Sequence, residues 1–315
     1  MNILLTVDTE LSPGRSVTTP ADVVANARGS FYGVGSGDGG LPTQLGLLRQ
    51  HRLKAVFFVE ALAALVVGDD PIREVVTLLI RSRQEVQLHL HTEWLALARF
   101  NPMGDKRGQN MCDFSERDQA RMIQLGKDTL IRCGVENISA FRAGNYGADN
   151  ATLRALAAND IHFDSSYNHA YLGRGCSIKT DDVLTHAARV EGVTEVPITF
   201  FQDWPGHVRH AQVCACSFGE LSHMLLEAHA AGFTTFVIVC HSFELINRAR
   251  TRVNRLLVRR FRRLCEFLDQ RRDLFRTVGF NDLDASISPL PRPLVSPPRR
   301  TIGRYVEQLA ARVYE

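Results

Sequence analysis

Two carboxylates follow the first apolar run of this sequence. Residues 2–7 read NILLTV, Asp8 comes directly after them and Glu10 stands two positions later. Side chains two apart on a strand point to the same face, so both acids would share one side of the strand. Like charges held that close repel each other. The pattern therefore predicts a positive centre beside these two acids.

A second group of side chains that could bind a metal stands in the segment HLHTEW. His89 and His91 share one face of a predicted strand, and Glu93 continues the same alternation. Neutral imidazole nitrogens are good ligands for zinc and similar divalent ions. The spacing predicts a divalent metal site at this point of the chain.

Three more segments place polar side chains after apolar runs. FRAGNYG contains Arg142, which would need carboxylate partners if buried, and the acids of the first strand could supply them. PITFFQDW ends with Asp203 and Trp204, a charge beside a flat aromatic ring. TFVIVCHSFE delivers His241 at the end of an almost wholly apolar strand, where it could act as a general acid or base.

The elements that must position these residues alternate between strands and helices. Strand-like runs are NILLTV, KAVFFVE, EVQLHLH, ISAFRA, IHFDSS, EVPITFF, TFVIVCH and FRTVGF, and helices are predicted at 41–51, 72–83, 115–133, 149–159, 217–231 and 251–271. Apolar strands alternating with helices favour a parallel sheet covered by helices, and this number of units favours a barrel. In a β/α barrel the active site lies at the carboxyl ends of the strands, where all these residues fall.

Charge is distributed unevenly along the 315 residues. The net charge is +3, but residues 248–276 hold eleven arginines and three acids. Apolar residues recur there at helical spacing, which predicts an amphipathic helix with a solvated basic face that includes Arg259, Arg260 and Arg263. An anionic partner, such as a membrane surface or a phosphorylated substrate, is the alternative interpretation.

The remaining composition bears on location and domain organisation. No apolar run approaches the roughly 20 residues of a membrane span, no basic leader precedes the first strand, and the seven scattered cysteines suggest reduced thiols, so we expect a cytoplasmic protein. We expect one barrel domain over residues 1–285. A Pro- and Arg-rich extension should follow at 286–315, with a short helix near 301–313. The glycine-rich segment 28–40 is expected to form an active-site loop.

Read in order, TVDTE, HLHTEW, FRAGNYG, FDSS, PITFFQDW and VCHSFE resemble the polysaccharide deacetylases of the NodB-homology type, carbohydrate esterase family 4 and its relatives. The resemblance covers roughly residues 1–285. It implies a distorted (β/α)7 barrel, a divalent metal, usually zinc, held by an acid and two histidines, and hydrolysis of an N-acetyl group on an amino sugar.

The resemblance also implies roles for individual residues. Asp8 matches the catalytic base, His241 the catalytic acid, and Arg142 the residue that orients the base. Glu10, His89 and His91 would hold the metal. Three residues are expected to bind substrate, with Asp203 also tuning the acid: Tyr146, Asp203 and Trp204.

Two departures from the family pattern distinguish this chain. The usual motif has adjacent aspartates, whereas Thr9 separates Asp8 from Glu10 here. The usual second motif has histidines four apart, whereas position 93 is a glutamate, which leaves Glu93 as a competing ligand to His91. These changes resemble the divergent branch found with surface-polysaccharide and lipopolysaccharide genes.

The expected function is therefore removal of an N-acetyl group from an amino sugar of a surface polysaccharide or its precursor. The sugar could be free, nucleotide-linked or lipid-linked, with peripheral membrane contact in the last case. Alternatives are hydrolysis of another N-acyl or formyl amide, and a catalytically silent carbohydrate-binding relative. Nucleic-acid binding is not favoured, because the only aromatics in the basic helix, Phe261 and Phe267, fit its apolar face.

Overall fold

The computed structural model describes residues 1–11, 31–34, 38–247, 251–283 and 293–314. Its strands are β1 Asn2–Thr9, β2 Gly33–Val34, β3 Asp38–Gly39, β4 Val56–Glu60, β5 Glu85–Leu90, β6 Ala140–Ala143, β7 Phe163–Asp164, β8 Ala188–Val190, β9 Val193–Glu195, β10 Phe200–Trp204, β11 His207–His210, β12 Thr235–His241, β13 Arg276–Thr277 and β14 Leu294–Val295. Its α-helices are α1 Leu41–Gln50, α2 Ala64–Val67, α3 Asp69–Arg81, α4 Trp94–Leu97, α5 Glu116–Arg132, α6 Asn150–Ala157, α7 Phe218–Ala230, α8 Arg255–Gln270 and α9 Pro298–Tyr314.

One curled sheet organises the molecule. Its strand order is β12-β1-β4-β5-β6-β7-β9-β8, and β13 pairs with the start of β1. Neighbouring strands are parallel except β8 and β9, which are antiparallel. Helices α3 and α5 pack against the central strands β4 and β5, as crossover helices of a parallel sheet do. The expected distorted (β/α)7 barrel in a single domain is confirmed as a curled half-barrel.

The register of the sheet decides which side chains meet at its carboxyl end. Asp8 on β1 lies opposite His241 on β12. His89 on β5 lies opposite Glu60 on β4 and opposite Arg142 on β6. Because the apolar residues that precede them are fully buried, each strand is fixed in place and these polar residues emerge side by side.

The EVPITFF segment does not form the single barrel strand that its apolar pattern suggested. Only Val193–Glu195 joins the main sheet, while Phe200–Trp204 pairs with β11 and β14 in a separate three-stranded sheet. Pro197 has no backbone N–H to donate, so a regular ladder cannot continue through it. Hydrogen bonds from Ala211 N to Thr199 O and from Val239 N to Ala211 O continue the bonding towards β12.

The six predicted helices are confirmed, each to within four residues at either end. Two of them begin at the serine caps that their sequences suggest, Ser115 for α5 and Ser217 for α7. Helix α8 buries the expected apolar stripe, but Arg260 is only 2% exposed and hydrogen-bonds Glu307 and the carbonyl of Cys214. That arginine therefore belongs to the packing of α8 rather than to its solvated face.

The C-terminal helix is longer than expected. It begins at Pro298, three residues before the predicted start, because a proline is accommodated in the first turn of a helix. The boundary predicted at residue 285 and most of the glycine-rich segment fall outside the described residues, so both stay predictions. None of the described helices combines the length and apolar character needed to span a membrane.

Candidate functional site

A cleft of about 510 Å³ opens at the carboxyl ends of the barrel strands. The residues singled out from the sequence that line it are Asp8, Glu10, His89, His91, Glu93, Tyr146 and His241. Arg142 lies beneath the cleft, fully buried and bonded to Asp8. Parallel strands that end at one edge thus bring together residues up to 230 positions apart.

Glu10 joins the two histidines of the HLH segment. Its Oε1 atom lies 3.1 Å from Nε2 of His89 and 3.1 Å from Nε2 of His91. Burial alone would raise the pKa of Glu10, but the charge of His91 and hydrogen bonds from both rings hold it well below its usual value. Burial would lower the pKa of His91, yet the Glu10 carboxylate outweighs it and raises that pKa well above normal. The cluster therefore favours additional positive charge.

The outer nitrogens of both rings show how they are oriented. Nδ1 of His89 lies 2.7 Å from the carbonyl oxygen of Arg142, which can only accept, so Nδ1 carries the hydrogen and Nε2 of the neutral ring presents its lone pair to Glu10. Nδ1 of His91 lies 3.0 Å from Oε2 of Glu93, and its buried Nε2 forms no hydrogen bond. Acceptor atoms of three residues thus converge within 4.8 Å. This donor set fits a divalent cation, with Glu93 supporting His91 from behind.

Asp8 is bound differently from Glu10. Its Oδ1 atom accepts a 2.6 Å hydrogen bond from Nη1 of Arg142, which also donates to Thr6, while Nε and Nη2 of the same guanidinium donate to Ser165. The guanidinium stacks 4.4 Å from the ring centre of Phe58. A carboxylate that is 3% exposed and paired with a fully buried arginine stays ionised. Its other oxygen, Oδ2, lies 3.9 Å from Nε2 of His241.

Glu244 is a site residue that sequence reasoning missed. It follows His241 by three positions in HSFE, and its Oε1 lies 3.5 Å from Nδ1 of that histidine. Gln212 bridges the two, with its amide nitrogen 3.1 Å from Nδ1 and 2.6 Å from Glu244. Burial would lower the pKa of His241, but the hydrogen bond from Glu244 and the charges of Glu10 and Asp8 raise it to about 9. His241 is thereby kept protonated at neutral pH.

Glu60 is the second residue that was missed. It ends β4 in VFFVE, and its fully buried carboxylate accepts hydrogen bonds from the backbone N–H groups of Leu62, Ala63 and His91. Burial raises the pKa of this group to about 7. The signal was present, since an acid that ends an apolar strand is the same pattern that identified Asp8.

The FRAGNYG segment forms a tight turn over the cleft. Asn145 and Tyr146 both adopt positive φ, 55° and 56°, at a cost of roughly 1–3 kcal/mol each, and such strain clusters at functional sites. Gly144 is required because a Cβ there would lie 2.6 Å from the ring of His91. The side chain of Asn145 donates to Glu93, and the buried hydroxyl of Tyr146 has no partner among the described residues. A polar atom left unpaired beside a cleft is a group available to a ligand.

Asp203 and Trp204 are not brought to this cleft. Asp203 is 2% exposed and its carboxylate binds His207, Arg209 and Arg304, which outweigh burial and lower its pKa to about 2. Trp204 is 53% exposed at the end of β10. Both follow from the departure of β10 from the main sheet. The carboxylate that lies beside His241 is Glu244.

Comparison with known proteins bears on the fold. No protein-family model matches the sequence, and no curated protein matches it either. Among solved structures, the chain is similar to a protein from Mycobacterium smegmatis assigned as a polysaccharide deacetylase, with 17% identity, a TM-score of 0.54, and 93% of this chain and 94% of that chain covered. The chain has this deacetylase fold.

Two other solved structures are similar over most of this deacetylase-type chain. One is a family 4 carbohydrate esterase from Streptomyces lividans in complex with acetate, with 15% identity, a TM-score of 0.47, and 92% of this chain and 98% of that chain covered. The other is the 4-alpha-glucanotransferase from Thermococcus litoralis, with 10% identity, a TM-score of 0.51, and 93% and 39% covered. Because one barrel supports several reactions, the chemistry has to be argued from the site.

Proposed function

We propose that the protein is a metal-dependent N-deacetylase that removes the N-acetyl group from an amino sugar of a surface polysaccharide or its precursor. One observation carries the proposal: a Glu–His–His donor set lies in the same cleft as an arginine-paired aspartate and a protonated histidine. The deacetylase fold agrees with it. Amide hydrolysis needs an activated water, a base and an acid, and the cleft supplies a residue for each.

The metal would be held by Glu10, His89 and His91, and zinc suits one carboxylate and two imidazoles. When bound, a divalent metal at this position supplies Lewis-acid polarisation of the amide carbonyl and a lowered pKa for water. Glu93 holds His91 in the orientation that directs Nε2 towards Glu10. Glu60 fixes the backbone of His91 from the other side.

Asp8 and His241 move the protons. Asp8 takes a proton from the attacking water through Oδ2, while Arg142 holds Oδ1 and keeps the carboxylate ionised. His241 gives its proton to the sugar nitrogen as the C–N bond breaks, so that acetate and a free amine are released. Glu244 and Gln212 orient the imidazole for this transfer.

Two residues of the cleft suit the sugar and its attached group. The unpaired hydroxyl of Tyr146 can hydrogen-bond a sugar hydroxyl or the acetamido oxygen. Arg174 is exposed at the rim of the cleft and has no acidic partner among the described residues. A free guanidinium there suits a phosphate, as in a nucleotide- or lipid-linked sugar. The seven free cysteines support a cytoplasmic location.

Acetate release from a panel of N-acetylated amino sugars tests the proposal. Protein stripped of metal by chelation is assayed with free, nucleotide-linked and lipid-linked sugars, with and without added Zn²⁺ or Co²⁺. We expect acetate only when metal is restored. Full turnover in metal-free protein contradicts the proposal, release of another acyl group identifies a different amide, and sugar binding without turnover identifies a carbohydrate-binding relative.

A further inference from the structure

Helix α9 packs on the protein body through its polar side. Arg304 and Thr301 are each 1% exposed. Arg304 binds Asp203 at 2.9 Å and Glu220 at 3.1 Å, and the hydroxyl of Thr301 donates to the carbonyl of Asp203. One turn further along, Glu307 accepts from Arg260 of α8 at 2.7 Å. Ion pairs therefore hold this helix where apolar packing would hold an ordinary surface helix.

The apolar side of the same helix faces outward. Its exposed residues, called here the apolar stripe, are Ile302, Tyr305, Val306 and Leu309, which are 55%, 53%, 60% and 61% exposed. Their spacing of three, four and seven places them on one helical face. Trp204 and Val295, in the small sheet that pairs β10 with β14, add two more exposed apolar side chains. Contiguous apolar surface of this kind marks an interaction site.

A basic surface lies next to the apolar stripe. Helix α8 exposes Arg255, Arg259, Arg262 and Arg263, and α9 exposes Arg299. The two helices are joined by the Arg260–Glu307 pair. They meet again at the start of α7, where Arg263 stacks 4.2 Å from the ring centre of Phe218 and Nη1 of Arg300 lies beside Gly219.

The charges decide between the possible occupants of the stripe. In a symmetric dimer built on this surface, the arginines of one copy would lie near those of the other, and like charges across an interface are unfavourable. A bilayer with anionic headgroups complements both features, because an interfacial helix buries its apolar face while nearby arginines bind the lipid phosphates. Tryptophan and tyrosine are the aromatic residues enriched at that depth.

We propose that the apolar stripe and the exposed arginines of α8 dock this protein on an anionic membrane surface. This inference is independent of the chemistry proposed for the cleft. It assigns a binding role to the helix face that the barrel itself does not need. It also accounts for a C-terminal helix held in place by its charged side.

Vesicle co-sedimentation of the full chain tests the inference. We expect binding to vesicles of 70% phosphatidylcholine and 30% phosphatidylglycerol, and little binding to phosphatidylcholine alone. The Arg255→Gln, Arg259→Gln, Arg262→Gln variant should lose on the order of 100-fold in affinity, at roughly five-fold per arginine. The Val306→Ser, Leu309→Ser variant should lose roughly ten-fold or more, because two exposed apolar side chains no longer enter the bilayer.

Matched controls substitute the same residue types elsewhere on the surface. Arg81→Gln, Arg117→Gln, Arg121→Gln changes net charge equally, and Ile80→Ser, Ile131→Ser removes two exposed isoleucines from α3 and α5. Both should bind vesicles like the wild type. Equal binding to neutral and anionic vesicles, or unchanged binding by the two α8 and α9 variants, overturns the inference. So does a wild-type dimer in sedimentation equilibrium that becomes monomeric on Val306→Ser, Leu309→Ser substitution.

Discussion

Asp8 and Asp203 are both buried aspartates paired with arginine, yet their surroundings differ. Asp8 gives one oxygen to Arg142 and turns the other towards an open cleft. Both oxygens of Asp203 are occupied, by His207, Arg209 and Arg304. The first environment leaves an acceptor free for a reacting molecule, and the second satisfies the carboxylate entirely within the protein. Burial and ion pairing alone therefore do not identify a catalytic acid.

Asp8→Asn should break this comparison on the catalytic side with the largest effect. An amide fills the same space but cannot take a proton, so we expect kcat to fall about 10²–10⁴-fold with metal content retained. Glu10→Gln should instead weaken metal affinity, with activity partly restored by excess metal. Steady-state kinetics with metal analysis of both variants checks this. Metal lost from the Asp8 variant and kept in the Glu10 variant would exchange the two roles.

Asp203→Asn should break the comparison on the structural side. Removing the charge leaves Arg304 buried beside fewer acids, so we expect unfolding to become easier by about 3 kcal/mol while kcat stays within two-fold. The pKa of Asp203 is lowered to about 2, so its contribution to stability is present above the unfolded pKa of about 4 and is lost as pH falls towards 2. Denaturant unfolding at pH 7 and pH 3 measures both effects. A large kcat loss in this variant would place Asp203 in the chemistry.

The parts of this molecule that could be predicted are those determined locally. Apolar runs identified β1, β4, β5 and β12, and the barrel rule placed Asp8, His89 and His241 at one end. The surroundings of Asp203 could not be predicted, because Arg304 reaches it from 101 residues along the chain. The role of Glu244 needed the geometry of the turn after β12, which periodicity does not encode.

Glu244→Gln should sharpen the comparison, because Glu244 is the carboxylate found beside His241. As a proton donor, His241 must be protonated, so activity falls as pH rises through its pKa. Losing the Glu244 charge lowers that pKa, and the descending limb of the kcat profile should move to lower pH, with kcat at pH 7 reduced roughly ten-fold. The profile of Asp203→Asn serves as the control and should keep its limb. An unmoved limb in Glu244→Gln contradicts the pairing.

Arg174→Gln should have the smallest effect and act on binding alone. Arg174 lies at the rim of the cleft and touches none of the metal-binding or proton-moving residues, so kcat should be unchanged. An exposed guanidinium contributes modestly to binding a phosphate, and we expect KM for a nucleotide- or lipid-linked sugar to rise about five-fold, with the difference shrinking at high salt. KM for the neutral free sugar should stay the same, because it offers no anion to lose. Arg117→Gln, an exposed arginine away from this cleft, is the matched control. An equal rise in KM for charged and neutral sugars would show that Arg174 shapes the cleft instead of selecting an anionic substrate.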